Sequence, residues 1–261
     1  MSILMKFNNK NIYIGQNVKI GKNVKIGDNS VIYDNVTIGD NSIIGNNSII
    51  GEPLQEYYYS KNYNQPITLI GENALIRSNA IIYAGSEIGS NFNTGHFITI
   101  RENTTIGNNC IIGTKCDIQG YTTIGNYVRL HSFVVIGQYS NISNYVQIFP
   151  FVVLTNDSKP PSNELLGPQL DEYTVIASST VLLAGIKLGK HCLVGANSVV
   201  NKDYDDYSFI NGNPAKYVCD VRKLPFFTNG KRHYPWPYNY KKGMPWEEEG
   251  YGKWEKSLGN D

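Results

Sequence analysis

Charge is scarce in this sequence. Only 17% of its 261 residues are Asp, Glu, Lys or Arg, and the formal net charge is +1. A nucleic acid or an acidic membrane surface calls for a basic face, so neither is expected as a partner. Long apolar runs are missing as well. Nothing approaches the length of a membrane span, and the opening MSILMKFNNKNIY has no apolar block of secretory-signal length. The expectation is a soluble, cytoplasmic protein. No Gly-rich phosphate loop ending in Lys-Ser or Lys-Thr occurs, so an ATP-driven reaction is not indicated.

What the sequence has instead is a period of six. Ile14, Ile20, Ile26, Ile32, Ile38, Ile44 and Ile50 fall six apart, and most are followed by Gly. A second run starts at Ile70 and reaches Leu154, with one lapse at Thr94; a third covers Ile176, Leu182, Leu188, Val194 and Val200. Six is neither a helical nor a strand period. It is the signature of a β-solenoid in which each short strand ends in a turn. The aliphatic residue points inward, Gly-X-Asn supplies turn backbone, and the residue four after the aliphatic is small enough to face in again. Three hexads per turn make a triangular prism. The 27 hexads predict about nine coils, stacked at roughly 4.8 Å.

Four cysteines permit several pairings, but Cys110, Cys116 and Cys192 each lie four after an aliphatic. That register predicts buried small hydrophobes. Cys219 lies beyond the repeats. Two excursions interrupt the prism: residues 51–69, rich in Tyr, and residues 155–175, rich in Pro. Loops of this length are usually functional or disordered, and their aromatic and acidic content favours function. The expected organisation is a repeat domain over 1–206 and, over 207–261, a short helix beginning at Pro214 followed by an aromatic tail packed on the prism or on a neighbour.

The repeat, with its closing GNPAK (Gly212 to Lys216), resembles the left-handed β-helix hexapeptide acyltransferases from about Ile14 to Lys216. Within that superfamily TGHFITIREN, DIQG, IGNYVRLHS, FPFVVLTND, PPSNELLG and YPWPYNYKKGMPWEE look like the 3-N-acetyltransferases of dTDP-3-amino-3,6-dideoxyhexoses. The resemblance implies an all-β, left-handed parallel β-helix, a homotrimer, acetyl-CoA as co-substrate in a groove between prisms, and a dTDP-amino sugar entering from the other side. No metal is implied. Handedness does not follow from the repeat itself.

Attack of an amine on a thioester needs an unprotonated amine, orientation, and donors for the oxyanion. A covalent intermediate is unnecessary. His131 and His96 project from the same side of the prism, two coils apart, and His131 is the candidate general base. A positioned amine that needs no protein base stays open as an alternative. His191 and His233 are assigned to an outward turn and to the tail, without a chemical role. Candidates for holding the sugar nucleotide are Asn91, Asn93, Arg101, Glu102, Asp117, Arg129, Asn156 and Asp157, and Tyr57, Tyr58 and Tyr59 offer ring faces. For acyl-CoA the resemblance points to Ala177, Ala184, Gly195 and Ala196 against the pantetheine, with Lys187, Lys202 and Lys216 for its phosphates.

Other classes fare worse. A zinc lyase on the same prism needs three converging histidines, and the positions five after His96 and His131 are Arg101 and Ile136. A scaffold or ice-binding solenoid wants a repeated outward array, and the outward residues here are mixed. The nearest rivals are a sugar O-acetyltransferase and an N-acyltransferase using a 4-amino sugar or a longer acyl group.

Overall fold

The computed structural model describes residues 8–228 and 230–258. Two-residue strands such as Tyr13–Ile14, Lys19–Ile20 and Lys25–Ile26 recur at each hexad. They stack in register, residue i on i+18, into three sheets. These are the first, second and third faces of a prism, and the corner after each face takes that face's number. Among the described residues the faces hold ten, nine and eleven strands, the eleventh antiparallel. The aliphatic residues form one core along the axis, with Ile32, Ile44 and Ile50 at 0% exposure.

The small inward slot does more than fill space. Its hydroxyl or thiol donates to the carbonyl of the residue after the aliphatic, one coil on: Ser30 to Gly45 at 3.1 Å, Cys110 to Gly125 at 3.0 Å, Thr180 to Gly195 at 3.1 Å. A buried carbonyl at the turn is thereby satisfied. The three repeat cysteines are free and buried, as their register predicts, and burial pushes the Cys110 thiol up to about 12.

Where one hexad runs directly into the next, the residue three after the aliphatic is left-handed, with φ 58° at Asn29 and 59° at Asn35. Asn tolerates this region best among residues with a Cβ. In the later coils aromatic rings occupy the slot, among them Tyr127, Tyr145 and Tyr173 at φ 58°, 63° and 63°. Such backbone is costly for a bulky residue, and stacking along the corner offsets it. On the second corner Tyr127, Tyr145, Tyr173, His191 and Tyr207 form one column, with centroid spacings of 5.5, 5.0, 4.6 and 4.8 Å.

Several expectations need correction. The coils exceed nine because Leu170 and Ile210 also supply hexad strands, Gln169–Leu170 and Ser208–Asn211. Leu170 lies six before Ile176 and opens the third run, whereas a break in the period after Val200 shifts Ile210 out of the six-residue phase. The second excursion therefore rejoins the prism at Gln169 rather than after 175, and the first rejoins at Thr68. No helix begins at Pro214. The chain makes a hairpin of Ser208–Asn211 with Lys216–Asp220, because the edge of the third face offers backbone groups for pairing. The helix lies further on, at Tyr251–Ser257.

The tail folds along the second corner and third face, where the outward residues Val175 and Leu193 are apolar. They bury Trp236, Met244, Trp246 and Tyr251 together with Tyr173. Each indole finds a carbonyl: Trp236 Nε1 donates to Tyr173 O at 2.8 Å and Trp246 Nε1 to Tyr240 O at 3.0 Å.

Candidate active site

The third corner carries His131 directly after Leu130. Its ring lies on Phe149, which holds the same slot one coil on, with centroids 4.5 Å apart and planes 17° from parallel. One coil earlier the slot is Gly113. A Cβ there would sit 2.5 Å from the His131 carbonyl carbon, so the close approach of the coils demands glycine and leaves space beside the imidazole. His131 is still exposed to solvent. Partial burial, and after it the Arg129 guanidinium, lowers its pKa below the ordinary histidine value. The imidazole is therefore neutral at pH 7 and able to accept a proton.

The tail turns this corner into a cavity of about 440 Å3. Its prism wall includes Ile111, Arg129, His131, Gln147 and Phe149, and its outer wall His233, Tyr234, Trp236 and Tyr240. Arg129 holds the two walls together. Its Nη1 donates to Tyr240 Oη at 2.5 Å and its Nη2 to Lys242 O at 2.8 Å. The structure thus commits this guanidinium to the tail. Thr228 Oγ1 lies 2.9 Å from His233 Nδ1. Gln147 is 9% exposed and its Nε2 has no hydrogen-bond partner.

His96 shares the third corner two coils earlier and is exposed. Its backbone N donates to Thr114 Oγ1 at 3.2 Å. The lapse at Thr94 has a local cause. Thr94 is 1% exposed, and its hydroxyl accepts from the Arg77 backbone N at 2.9 Å. The Arg77 guanidinium then donates to Asn93 Oδ1 at 2.9 Å and to Thr94 O at 2.6 Å. An aliphatic side chain there removes this acceptor and makes the Arg77 N–H and guanidinium compete for the carbonyl of residue 94, the counterpart of the acceptor that Ile112 offers to Gly95 in the next coil.

Arg101 and Glu102 stand on the first corner, at the opposite edge of the first face. They form a bidentate pair at 2.7 and 3.1 Å, with Arg101 over the Tyr83 ring at 4.8 Å. Asp117 lies on the first face itself and accepts from Gln119 Nε2 at 2.6 Å. Asn156 and Asp157 open the second excursion. Asp157 caps that loop, accepting from Lys159 N at 2.9 Å and from Ser162 N and Oγ at 2.7 and 2.8 Å. The bond from Lys159 N is the main cause of its lowered pKa. Asn91 is elsewhere, a rung of the second-corner amide ladder bonded to Asn109 at 3.1 Å.

Of the residues expected to meet acyl-CoA, Ala177 and Gly195 continue the corner column above His131 and Phe149, and Ala196 follows. Lys216 pairs with Asn211, whose side chain lies where a Cβ on Gly195 would be. Ala184 and Lys202 fall on the first corner, Lys202 over Tyr204 at 5.4 Å. Lys187 does not join them. It is on the second face, in a recess with Asp171, Asp203, Asp205 and Asp206. Tyr57, Tyr58 and Tyr59 are exposed at the N-terminal coils, where Tyr58 Oη donates to Glu52 at 2.9 Å.

Sequence reasoning missed Gln147, His233, Trp236 and Tyr240 as cavity residues. An outward Gln on a strand carries no signal, whereas the aromatic density of YPWPYNY marks a packed tail without saying over which coil it lies. Among the described residues no group of three His, Cys, Asp or Glu is placed to hold a metal ion, and no helix is long and apolar enough to cross a membrane.

The bacterial transferase hexapeptide repeat matches residues 17–52 and 103–138, and the hexapeptide repeat of succinyl-transferase matches 177–202. A dTDP-3-amino-3,6-dideoxy-α-D-galactopyranose 3-N-acetyltransferase of Aneurinibacillus thermoaerophilus is 39% identical over 79 residues, 26% of this chain and 38% of that protein. A chloramphenicol acetyltransferase of Klebsiella aerogenes is 40% identical over 43 residues, 16% of this chain and 20% of the other. The chain thus spans less than two fifths of the length of the curated relatives it matches. Among solved structures an Arabidopsis UDP-N-acetylglucosamine acyltransferase superposes with a TM-score of 0.55 at 18% identity, covering 82% of this chain and 73% of that one, a likeness of fold. Repeat matches over residues 17–52, 103–138 and 177–202, together with the three-faced stack of six-residue units, make the chain similar to the hexapeptide-repeat transferases.

Proposed function

We propose that this protein transfers an acetyl group from acetyl-CoA to the 3-amino group of a dTDP-linked 3-amino-3,6-dideoxyhexose. The observation that carries the reading is His131, a solvent-reachable imidazole kept neutral by its surroundings at the mouth of a cavity of about 440 Å3. The partial match to a dTDP-amino-sugar 3-N-acetyltransferase supplies the substrate class. The sugar amine attacks the thioester carbonyl, the C–N bond forms, and the C–S bond breaks. His131 accepts the ammonium proton and returns it to the departing CoA thiolate, so the enzyme ends the cycle unchanged. Neutral imidazole at pH 7 suits that proton transfer, and no covalent enzyme intermediate is required.

His96, two coils away on the same corner, orients the substrate rather than taking its proton. Acyl-CoA runs along the third corner past Ala177, Gly195 and Ala196 toward Lys216. Arg101, Glu102 and Asp117 belong to the opposite edge of the same face. The homotrimer that the resemblance implies would bring the two edges of neighbouring prisms to one seam. Incubation with carbonyl-labelled acetyl-CoA and the 3-amino sugar nucleotide is expected to give an amide carbonyl resonance coupled to N3. Label found on a hydroxyl oxygen, or no transfer, would overturn the reading.

A further inference from the structure

One polar group in the cavity beside His131 is not used by the fold. Gln147 is nine-tenths buried, and its Nε2 is unpaired. A buried amide without a partner destabilises the free protein, and a ligand that completes the bond accounts for it. Gln147 is the outward residue of the strand Gln147–Ile148, between Arg129 and Val175 in neighbouring strands. Both neighbours face the tail, Arg129 by hydrogen bonds and Val175 by packing.

The remaining wall is largely apolar and ring-bearing, with Ile111, Phe149, Trp236 and Tyr240. Flat apolar walls around a single amide suit a deoxysugar ring, which presents C–H faces to aromatics and hydroxyls to the amide. A hydroxyl also fits either orientation of the amide, since it both donates and accepts, whereas a thioester carbonyl only accepts.

Resting on the acyl-transfer reading above, we propose that the sugar ring of the acceptor seats in this cavity inside a single subunit, under the tail, with Gln147 hydrogen-bonding a ring hydroxyl and setting acceptor specificity. His131 then borders the sugar pocket from the corner side, and the tail is part of the binding site. Gln147 is a positioning residue; it takes no proton.

The test is calorimetric titration of the full-length protein with dTDP-3-amino-3,6-dideoxyhexose and, separately, with CoA, alongside thermal melts without ligand. In Gln147→Met the sugar Kd is expected to weaken tenfold or more while the CoA Kd stays within twofold. The Tm of the unliganded variant is expected to equal or exceed the wild type, which a purely structural Gln147 would not allow. Ile111→Phe, at an outward position 38% exposed, fills the cavity without touching the core and is expected to weaken the sugar alone. Unchanged sugar affinity in both variants, a loss of CoA affinity instead, or a lower Tm for Gln147→Met overturns the proposal. Wild-type protein that binds CoA but no amino-sugar nucleotide removes the proposed function itself, and this inference with it.

Discussion

The thiol of Cys116 donates a hydrogen bond to the carbonyl oxygen of His131, 3.0 Å away on the next coil. The inward slot thus supports, from inside the prism, the turn that presents the imidazole outside. Cys116→Ser keeps the donor, as Ser30 does for Gly45, and is expected to retain stability and turnover. Cys116→Ala orphans the carbonyl and is expected to cost about 1–2 kcal/mol. Paired urea melts of the two variants check this, and equal losses would remove the slot's hydrogen-bonding role. Burial pushes the Cys116 thiol up to about 11, so it should resist alkylation until the chain unfolds.

Replacing His131 by Asn is expected to lower kcat at saturating substrates by at least about tenfold. The wild-type kcat/KM profile should fall on the acid side through a pKa below the ordinary histidine value, because burial and Arg129 both disfavour the imidazolium. In His131→Asn that limb should vanish. A variant of near wild-type turnover would leave positioning as the sole contribution of this corner.

Thr94→Val restores the six-residue pattern but removes the acceptor of the Arg77 N–H. It is expected to destabilise by about 1–2 kcal/mol, read as a lower midpoint in urea at unchanged slope. A gain in stability would mean that the polar lapse is mere tolerance.

His191 is stacked between Tyr173 and Tyr207, and burial lowers its pKa to about 4. In the unfolded chain it takes up a proton near pH 6.5, whereas in the fold it does so only near 4. Its contribution is therefore constant above about pH 6.5 and is lost as pH falls from there toward 4. Linkage gives a loss of about 3 kcal/mol over that window. His191→Phe continues the ring column and should flatten the dependence, as unfolding free energies at pH 7 and pH 4.5 will show.

The prism was legible because an inward aliphatic at every sixth residue is a strict geometric demand, and Cys110, Cys116 and Cys192 obeyed the same register. Phase is also where legibility stopped. Leu170 and Ile210 are ordinary coil residues; Leu170 continues the third run backward into the Pro-rich stretch, a break after Val200 displaces Ile210 from the period, and Pro214 sits in a hairpin because an open sheet edge outweighs a local turn signal. At the site, His131 and His96 could be placed on one corner from the repeat alone. Gln147 and His233 could not, since their roles depend on where the tail crosses the third face. That crossing is fixed by Arg129 with Tyr240 and by Trp236 with Tyr173, contacts between residues far apart in sequence that no period reports.

The central claim is acetyl transfer to a 3-amino sugar, and release of CoA thiol tests it most directly. The purified protein should release thiol from acetyl-CoA, one per sugar consumed, with a dTDP-3-amino-3,6-dideoxyhexose, and far more slowly with the 4-amino isomer or with the 3-hydroxy sugar. Absence of release with every 3-amino sugar, or preferential release with the hydroxyl or 4-amino acceptor, would contradict the account.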